Sequence, residues 1–188
     1  MTCIVGWADP QGQRVCIGGD SAAMSGLNLM VRADEKVFRN GEMLFGCTTS
    51  FRMTQLLRFS LRIPSQPVEK GDYEFLCTDV VDAIRACLKV GGFARLENGV
   101  ERGGSFIIGY RGHIYAEEDD FQVAQPQQPF YAVGCGESFA YGACWILRED
   151  GLLSLAEKVK RALEVAHQCN GGVRPPYVVL QQTWPEGS

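Results

Sequence analysis

The sequence predicts an α+β fold: a four-layer αββα sandwich in which two antiparallel sheets lie between two helix layers. Three observations predict it. Apolar segments of strand length and segments of helical period occur in blocks, in the order strands, two helices, strands, two helices, strand. Turn signals at hairpin spacing separate the strands. Each segment also carries an apolar face that such layering buries. The 188 residues read as one domain, 1–188, with no linker, low-complexity run or internal repeat.

Residues 3–8 are an apolar run followed by Asp9-Pro10-Gln11-Gly12, and residues 14–19 return as a second strand, so the chain opens with a hairpin. A small-residue loop covers 21–26. A third strand starts at Lys36, and Asn40-Gly41 turns it into a fourth at 43–47, because both turn residues tolerate positive φ. From Ser50 the period becomes helical, with Phe51, Leu56, Leu57 and Leu61 in register and Pro64 as the stop. A second helix is predicted over 72–90, with Phe75, Leu76, Val80, Ala83, Ile84, Cys87 and Leu88 on one stripe and Gly91-Gly92 as its end. Strands resume at 105–110, 113–116 and 130–133. Helices follow at 137–147 and 154–169, the latter opening on a Ser154-x-x-Glu157 capping box, and 177–182 closes as a strand.

Composition excludes several classes of function. With 46% hydrophobic and 21% charged residues, the chain has the balance of a soluble globular protein. A formal net charge of -4 without a basic run speaks against nucleic acid as a partner. Residues 1–9 lack the basic and apolar regions of a secretory signal. No stretch reaches the roughly 20 apolar residues of a membrane helix, so a cytoplasmic location is expected. The eight cysteines are scattered singly and there are two histidines, His113 and His167, so neither a zinc site nor any other metal centre is predicted. Gly91-Gly92 and Gly103-Gly104 lack the context of a phosphate loop, and no cofactor is expected.

The candidate chemistry starts at Thr2. A small second residue permits removal of Met1, leaving a threonine with both a hydroxyl and an α-amine. Such an amine titrates near ~8 and accepts a proton at neutral pH, so one residue supplies nucleophile and base. Asp20 ends the second strand and Lys36 begins the third. If the hairpin register brings both to Thr2, the ammonium favours the deprotonated hydroxyl and the unprotonated amine, while the carboxylate orients the lysine. Read alone, Thr2 is more simply an ordinary residue at the head of a strand, and Asp20 and Lys36 read as well as a turn residue and a solvated charge.

Spacing and order of several short motifs decide between these. Thr2-Cys-Ile-Val-Gly, Gly18-Gly-Asp20-Ser, Glu35-Lys36-Val, Leu44-Phe-Gly-Cys47-Thr-Thr and Tyr131-Ala-Val-Gly134-Cys135-Gly136 resemble, along nearly the whole chain, a proteasome β-subunit or its bacterial relative HslV. The resemblance implies the four-layer fold of the N-terminal-nucleophile hydrolases. It implies Thr2 as nucleophile, Asp20 and Lys36 as its electrostatic partners, Cys135 beside the amine, and a backbone N–H near Thr48 as oxyanion donor. It also implies a peptide or unfolded-protein substrate pairing with the loop that holds Met24, with Cys47 in the specificity pocket, and homo-oligomeric stacked rings that an ATPase unfoldase serves in some members.

Two positions depart from the family pattern. Cys135 stands where the family carries serine, and a thiol is the weaker hydrogen-bond partner; as a bare residue it is equally a structural cysteine. Residues 166–172 replace an aspartate- and serine-bearing segment with Ala-His-Gln-Cys-Asn-Gly-Gly, where Asn170 fits either as a hydrogen-bonding substitute or as a helix cap, and His167 reads as a helix-end residue. Three functions follow: a threonine peptidase in a ring chamber, an amidohydrolase for small amides or short peptides with the same nucleophile, or a ring subunit without turnover.

Overall fold

The computed structural model describes residues 1–11 and 13–185; Gly12, the last residue of the first predicted turn, lies outside the described residues. Strands β1 (Cys3–Asp9) and β2 (Arg14–Gly19) form the opening hairpin. With β12 (Phe130–Gly134) and β13 (Val178–Thr183) they build a four-stranded antiparallel sheet in the order β12-β1-β2-β13. A five-stranded antiparallel sheet has the order β11-β10-β9-β6-β5, from β5 (Val37–Asn40), β6 (Met43–Cys47), β9 (Phe106–Tyr110), β10 (His113–Glu117) and β11 (Val123–Ala124). Asn40 faces Met43 across the predicted turn, and Gly41 has φ 57°.

The pleat explains the layers. Along β1, Cys3, Val5 and Trp7 point to the helices α4 (Glu137–Leu147) and α5 (Leu155–Cys169), while Ile4 and Ala8 point to the other sheet. A strand covered on both faces reads as the unbroken apolar run seen in the sequence. The five-stranded sheet turns Phe45, Phe106 and Ile108 towards α1 (Phe51–Phe59) and α3 (Val81–Val90), and Leu44 and Ile107 inward. Ile4 and Ile17 are fully buried between the sheets, each worth about 1.5–3 kcal/mol of hydrophobic stabilisation. Gly46 lies opposite them, and a Cβ there would come within 2.5 Å of Ile4 and 2.6 Å of Ile17. Close sheet approach therefore depends on that missing side chain.

Three local readings change. The segment read as a loop over 21–26 is half of a two-stranded ribbon, β3 (Ala22–Ser25) with β4 (Asn28–Val31), paired through the backbone, with β4 exposed along its length. A second ribbon, β7 (Arg95–Glu97) with β8 (Val100–Arg102), turns at Asn98-Gly99, both at positive φ. The helix predicted over 72–90 is continuous but not uniform: α2 (Asp72–Phe75) runs through a π turn at Leu76–Val80 into α3. The wider turn lets the consecutive Val80 and Val81 both enter the core. The capping box on α5 forms, with Ser154 N–H donating to Glu157 Oε2 at 2.9 Å and Glu157 N–H to Ser154 Oγ at 3.3 Å. Among the described residues no helix is long and apolar enough to cross a membrane.

Candidate active site

The central position of β1 assembles the site. Cys3 pairs with Gly134 of β12 on one side and Ile4 with Gly19 of β2 on the other, so the residues just beyond these pairs, Thr2, Cys135 and Asp20, converge. Gly134 adopts φ 102°, and a side chain there would collide with the Thr2 carbonyl. Lys36 arrives from the other sheet, just ahead of β5, its carbonyl accepting from Cys47 N–H at 2.9 Å. It reaches across the open end of the sandwich and donates from Nζ to Asp20 Oδ1 at 2.8 Å.

Thr2, Asp20 and Lys36 are 6%, 2% and 3% exposed, so the two charges need compensation within the protein. Asp20 is fully compensated. Its Oδ1 accepts from Lys36 and from Cys3 N–H at 2.9 Å, and its Oδ2 from Ala22 N–H at 2.9 Å and Arg174 N–H at 3.2 Å. Burial lowers the Lys36 pKa below the ordinary lysine value, and attraction to Asp20 opposes that shift. Burial, the larger cause, sets the direction.

Around Thr2, the backbone N–H donates to Cys135 Sγ at 3.3 Å, and Oγ1 donates to the Met1 carbonyl at 2.6 Å. Lys36 Nζ lies 3.5 Å from the same carbonyl oxygen. With Met1 attached, the Thr2 nitrogen is a peptide nitrogen and accepts no proton. Asn170 Nδ2 donates to the Cys135 carbonyl at 2.7 Å, and its Oδ1 lies 3.6 Å from Cys135 Sγ. It is the C-cap of α5 and a hydrogen-bond partner of Cys135.

A cleft of about 370 Å³ opens beside Thr2, and Met24, Lys36, Cys47, Thr49 and Phe51 line it. Thr48 also borders the cleft, but its backbone N–H donates to the Ser105 carbonyl at 3.2 Å, so the donor expected there is already engaged by the neighbouring chain. The next N–H, that of Thr49, meets only the adjacent Thr48 Oγ1 at 2.5 Å, in a residue at φ 57°.

The structure adds residues that sequence reasoning did not single out. Arg174 contributes a main-chain donor to Asp20 across 154 positions, and nothing in the local sequence signals it. Glu117 at the end of β10 is fully buried, with neither carboxylate oxygen hydrogen-bonded, and burial raises its pKa well above the carboxylate range. It lies close enough to Cys47 to push that thiol's pKa further upward, though burial is the larger cause.

No family model matches the chain. Among solved structures, it is similar to Thiobacillus denitrificans BPH in complex with epoxomicin, with TM-score 0.78 and 18% identity over 97% of this chain and 98% of that one. It is similar to HslV from Trypanosoma brucei, with TM-score 0.65 and 15% identity over 95% and 98% of the two chains. The Anbu (Gly-1) mutant from Hyphomicrobium sp. strain MC1 gives TM-score 0.64 and 16% identity over 95% and 80%. The chain has the fold of the proteasome-type N-terminal-nucleophile hydrolases.

Proposed function

We propose that the chain is a threonine peptidase in which Thr2, freed by removal of Met1, is both nucleophile and base. The observation that carries this reading is the buried Asp20–Lys36 pair within reach of Thr2, a charged arrangement that packing alone does not require. The α-amine takes the proton of Oγ1 as the oxygen attacks the substrate carbonyl, and the Lys36 ammonium stabilises the developing charge. The C–N bond then breaks, the leaving amine takes the proton from the α-ammonium, and an ester to Thr2 remains. Water, deprotonated by the same amine, hydrolyses it. Since the Thr48 N–H is bonded to the Ser105 main chain, the oxyanion donor in this reading is Thr49 N–H, which must turn from the adjacent Thr48 Oγ1 to the oxyanion.

The substrate is an extended peptide running past Met24 of the β3–β4 ribbon, with one side chain in the cleft above Cys47. Exposed Phe139, Ile146 and Val165 on the outer face of α4 and α5 support a homo-oligomeric chamber, with a second copy of this chain covering that face. Intact-mass measurement is expected to show loss of Met1, and epoxomicin, the ligand of the Thiobacillus structure, is expected to label the wild type but not Thr2→Ala. Equal labelling of both proteins overturns the reading. Size-exclusion measurement is expected to give a particle of ring size and Ile146→Glu to shift it to smaller ones; a monomer under all conditions removes the chamber but leaves the chemistry.

A further inference from the structure

Two groups around Thr2, the Asp20 carboxylate and the Cys135 thiol, come from distant parts of the chain, yet one short segment touches both. Residues 170–174 join α5 to the approach of β13. Asn170, at one end, holds Cys135 through its side-chain amide, and Arg174, at the other, gives its backbone N–H to Asp20 Oδ2. The Arg174 carbonyl accepts from Ser21 N–H at 2.9 Å, so this end also fixes the backbone beside Asp20.

A segment containing Gly171-Gly172 has little stiffness of its own. Its shape is held from within. Gly172 N–H donates to Asn170 Oδ1 at 2.8 Å, and Val173 N–H to the Asn170 carbonyl at 3.2 Å. The Arg174 side chain then folds back over the segment: NH1 donates to the Val173 carbonyl at 2.9 Å and lies 3.4 Å from the Asn170 carbonyl. These carbonyls follow the C-terminus of α5, where a cation is favoured. His167, in the last turn of α5, completes the arrangement. Its Nδ1 lies 2.8 Å from the Val173 carbonyl, a separation that requires Nδ1 to carry hydrogen and donate. The 3.2 Å approach of Arg174 NH1 to the same nitrogen is therefore a packing contact.

We propose that Arg174, braced by His167, is a positioning residue that locks segment 170–174 and so sets the Asp20 carboxylate and the Cys135 thiol together around Thr2. The proposal rests on the reading of Thr2 as nucleophile. The Arg174 guanidinium touches neither Thr2 nor the cleft, so its effect runs through geometry. With the lock removed, the carboxylate that holds Lys36 and the thiol beside the Thr2 nitrogen loosen at once, while the cleft walls at Met24, Cys47 and Phe51 keep their places.

The test compares wild type, Arg174→Met, which keeps most of the side-chain length without donors, and Arg174→Lys, which restores a cation able to reach a carbonyl. Two readouts are taken on protein lacking Met1: the Thr2 amine pKa by NMR of nitrogen-15-labelled threonine, and kcat and KM on fluorogenic peptides. For Arg174→Met the expected result is an amine pKa displaced by about half a unit or more and kcat lower by about 10- to 100-fold with KM within about twofold, the scale of a small misplacement of reacting groups. Arg174→Lys recovers part of both. If Arg174→Met does not fold, His167→Ala takes its place, with the same direction expected. An amine pKa and kcat unchanged in a folded variant overturn the proposal even when wild type is active and labelled at Thr2. A wild type that epoxomicin does not label at Thr2 defeats the peptidase reading instead, and the amine titration still decides the role of Arg174.

Discussion

Lys36 Nζ and Asp20 Oδ1 meet at 2.8 Å with side chains 2% and 0% exposed, one charge brought from each sheet. Removing either partner leaves the other buried and unpaired. Asp20→Ala and Lys36→Met are each expected to lose about 3–5 kcal/mol in urea unfolding, and the double variant to lose less than the sum. Additive losses would show that the two residues do not act as a pair.

The lowered Lys36 pKa gives the activity profile a direction. If the ammonium stabilises the transition state, activity falls on the alkaline side below pH 10.5, the ordinary lysine value. For stability the sign follows from proton binding. The unfolded chain holds the Lys36 proton to higher pH than the folded one, so this group makes stability rise with pH between the folded value and 10.5. A pH series of kcat, with circular dichroism at each point, separates the two.

Cys135 offers a sharper substitution. Its thiol accepts from the Thr2 nitrogen at 3.3 Å, and a hydroxyl makes the stronger bond. Cys135→Ser is expected to raise kcat severalfold and Cys135→Ala to lower it, both read on the same fluorogenic peptide. A serine variant slower than the alanine variant would exclude the hydrogen bond as the relevant interaction.

Glu117 is a stability liability. Its folded pKa is raised, so its contribution is fully present below the unfolded value near 4.5 and is lost as pH rises towards the folded value. Glu117→Met keeps the volume and removes the unpaired carboxyl. It is expected to stabilise the protein by about 1–3 kcal/mol at neutral pH and by less below pH 4.5, where the carboxyl is neutral in both states, measured by urea unfolding at both.

Gly46→Ala tests the contact between the sheets. The added methyl would press on Ile4 and Ile17, and a loss of about 1–3 kcal/mol is expected, with Gly46→Ala/Ile17→Val recovering part of it.

Much of this was legible in the sequence because it is local. The capping box of α5, the Asn40-Gly41 hairpin and the apolar runs of β1 and β6 each carry their signal within a few residues. Pattern alone placed Thr2, Asp20 and Lys36 at strand ends, and only the family resemblance implied that they meet; the register of β1 with β2 and the Lys36–Asp20 contact bring them together. What escaped is long-range or backbone-borne. The β3–β4 ribbon has small residues on one strand and a second strand exposed throughout, so it shows no alternating pattern. Glu117 reads as a surface charge after a strand, and burial by Val123 of the next strand appears only once β10 and β11 pair. Thr48 lost its expected donor to Ser105, a partner that no spacing rule connects to it. Asn98-Gly99 is the exception: its turn is local, and both residues carry the positive φ that the pair favours.

The register of β1 also orders events in time. Its β2 neighbour follows within a few residues, but its other neighbour, β12, begins at Phe130, and the last donor to Asp20 is the main chain of Arg174. A nascent chain emerging from the ribosome therefore carries its threonine, aspartate and lysine long before it carries the parts that orient them. Asp20 gains its full set of donors only after synthesis has passed Arg174, so on the proposed reading the site is completed among the last parts of the fold.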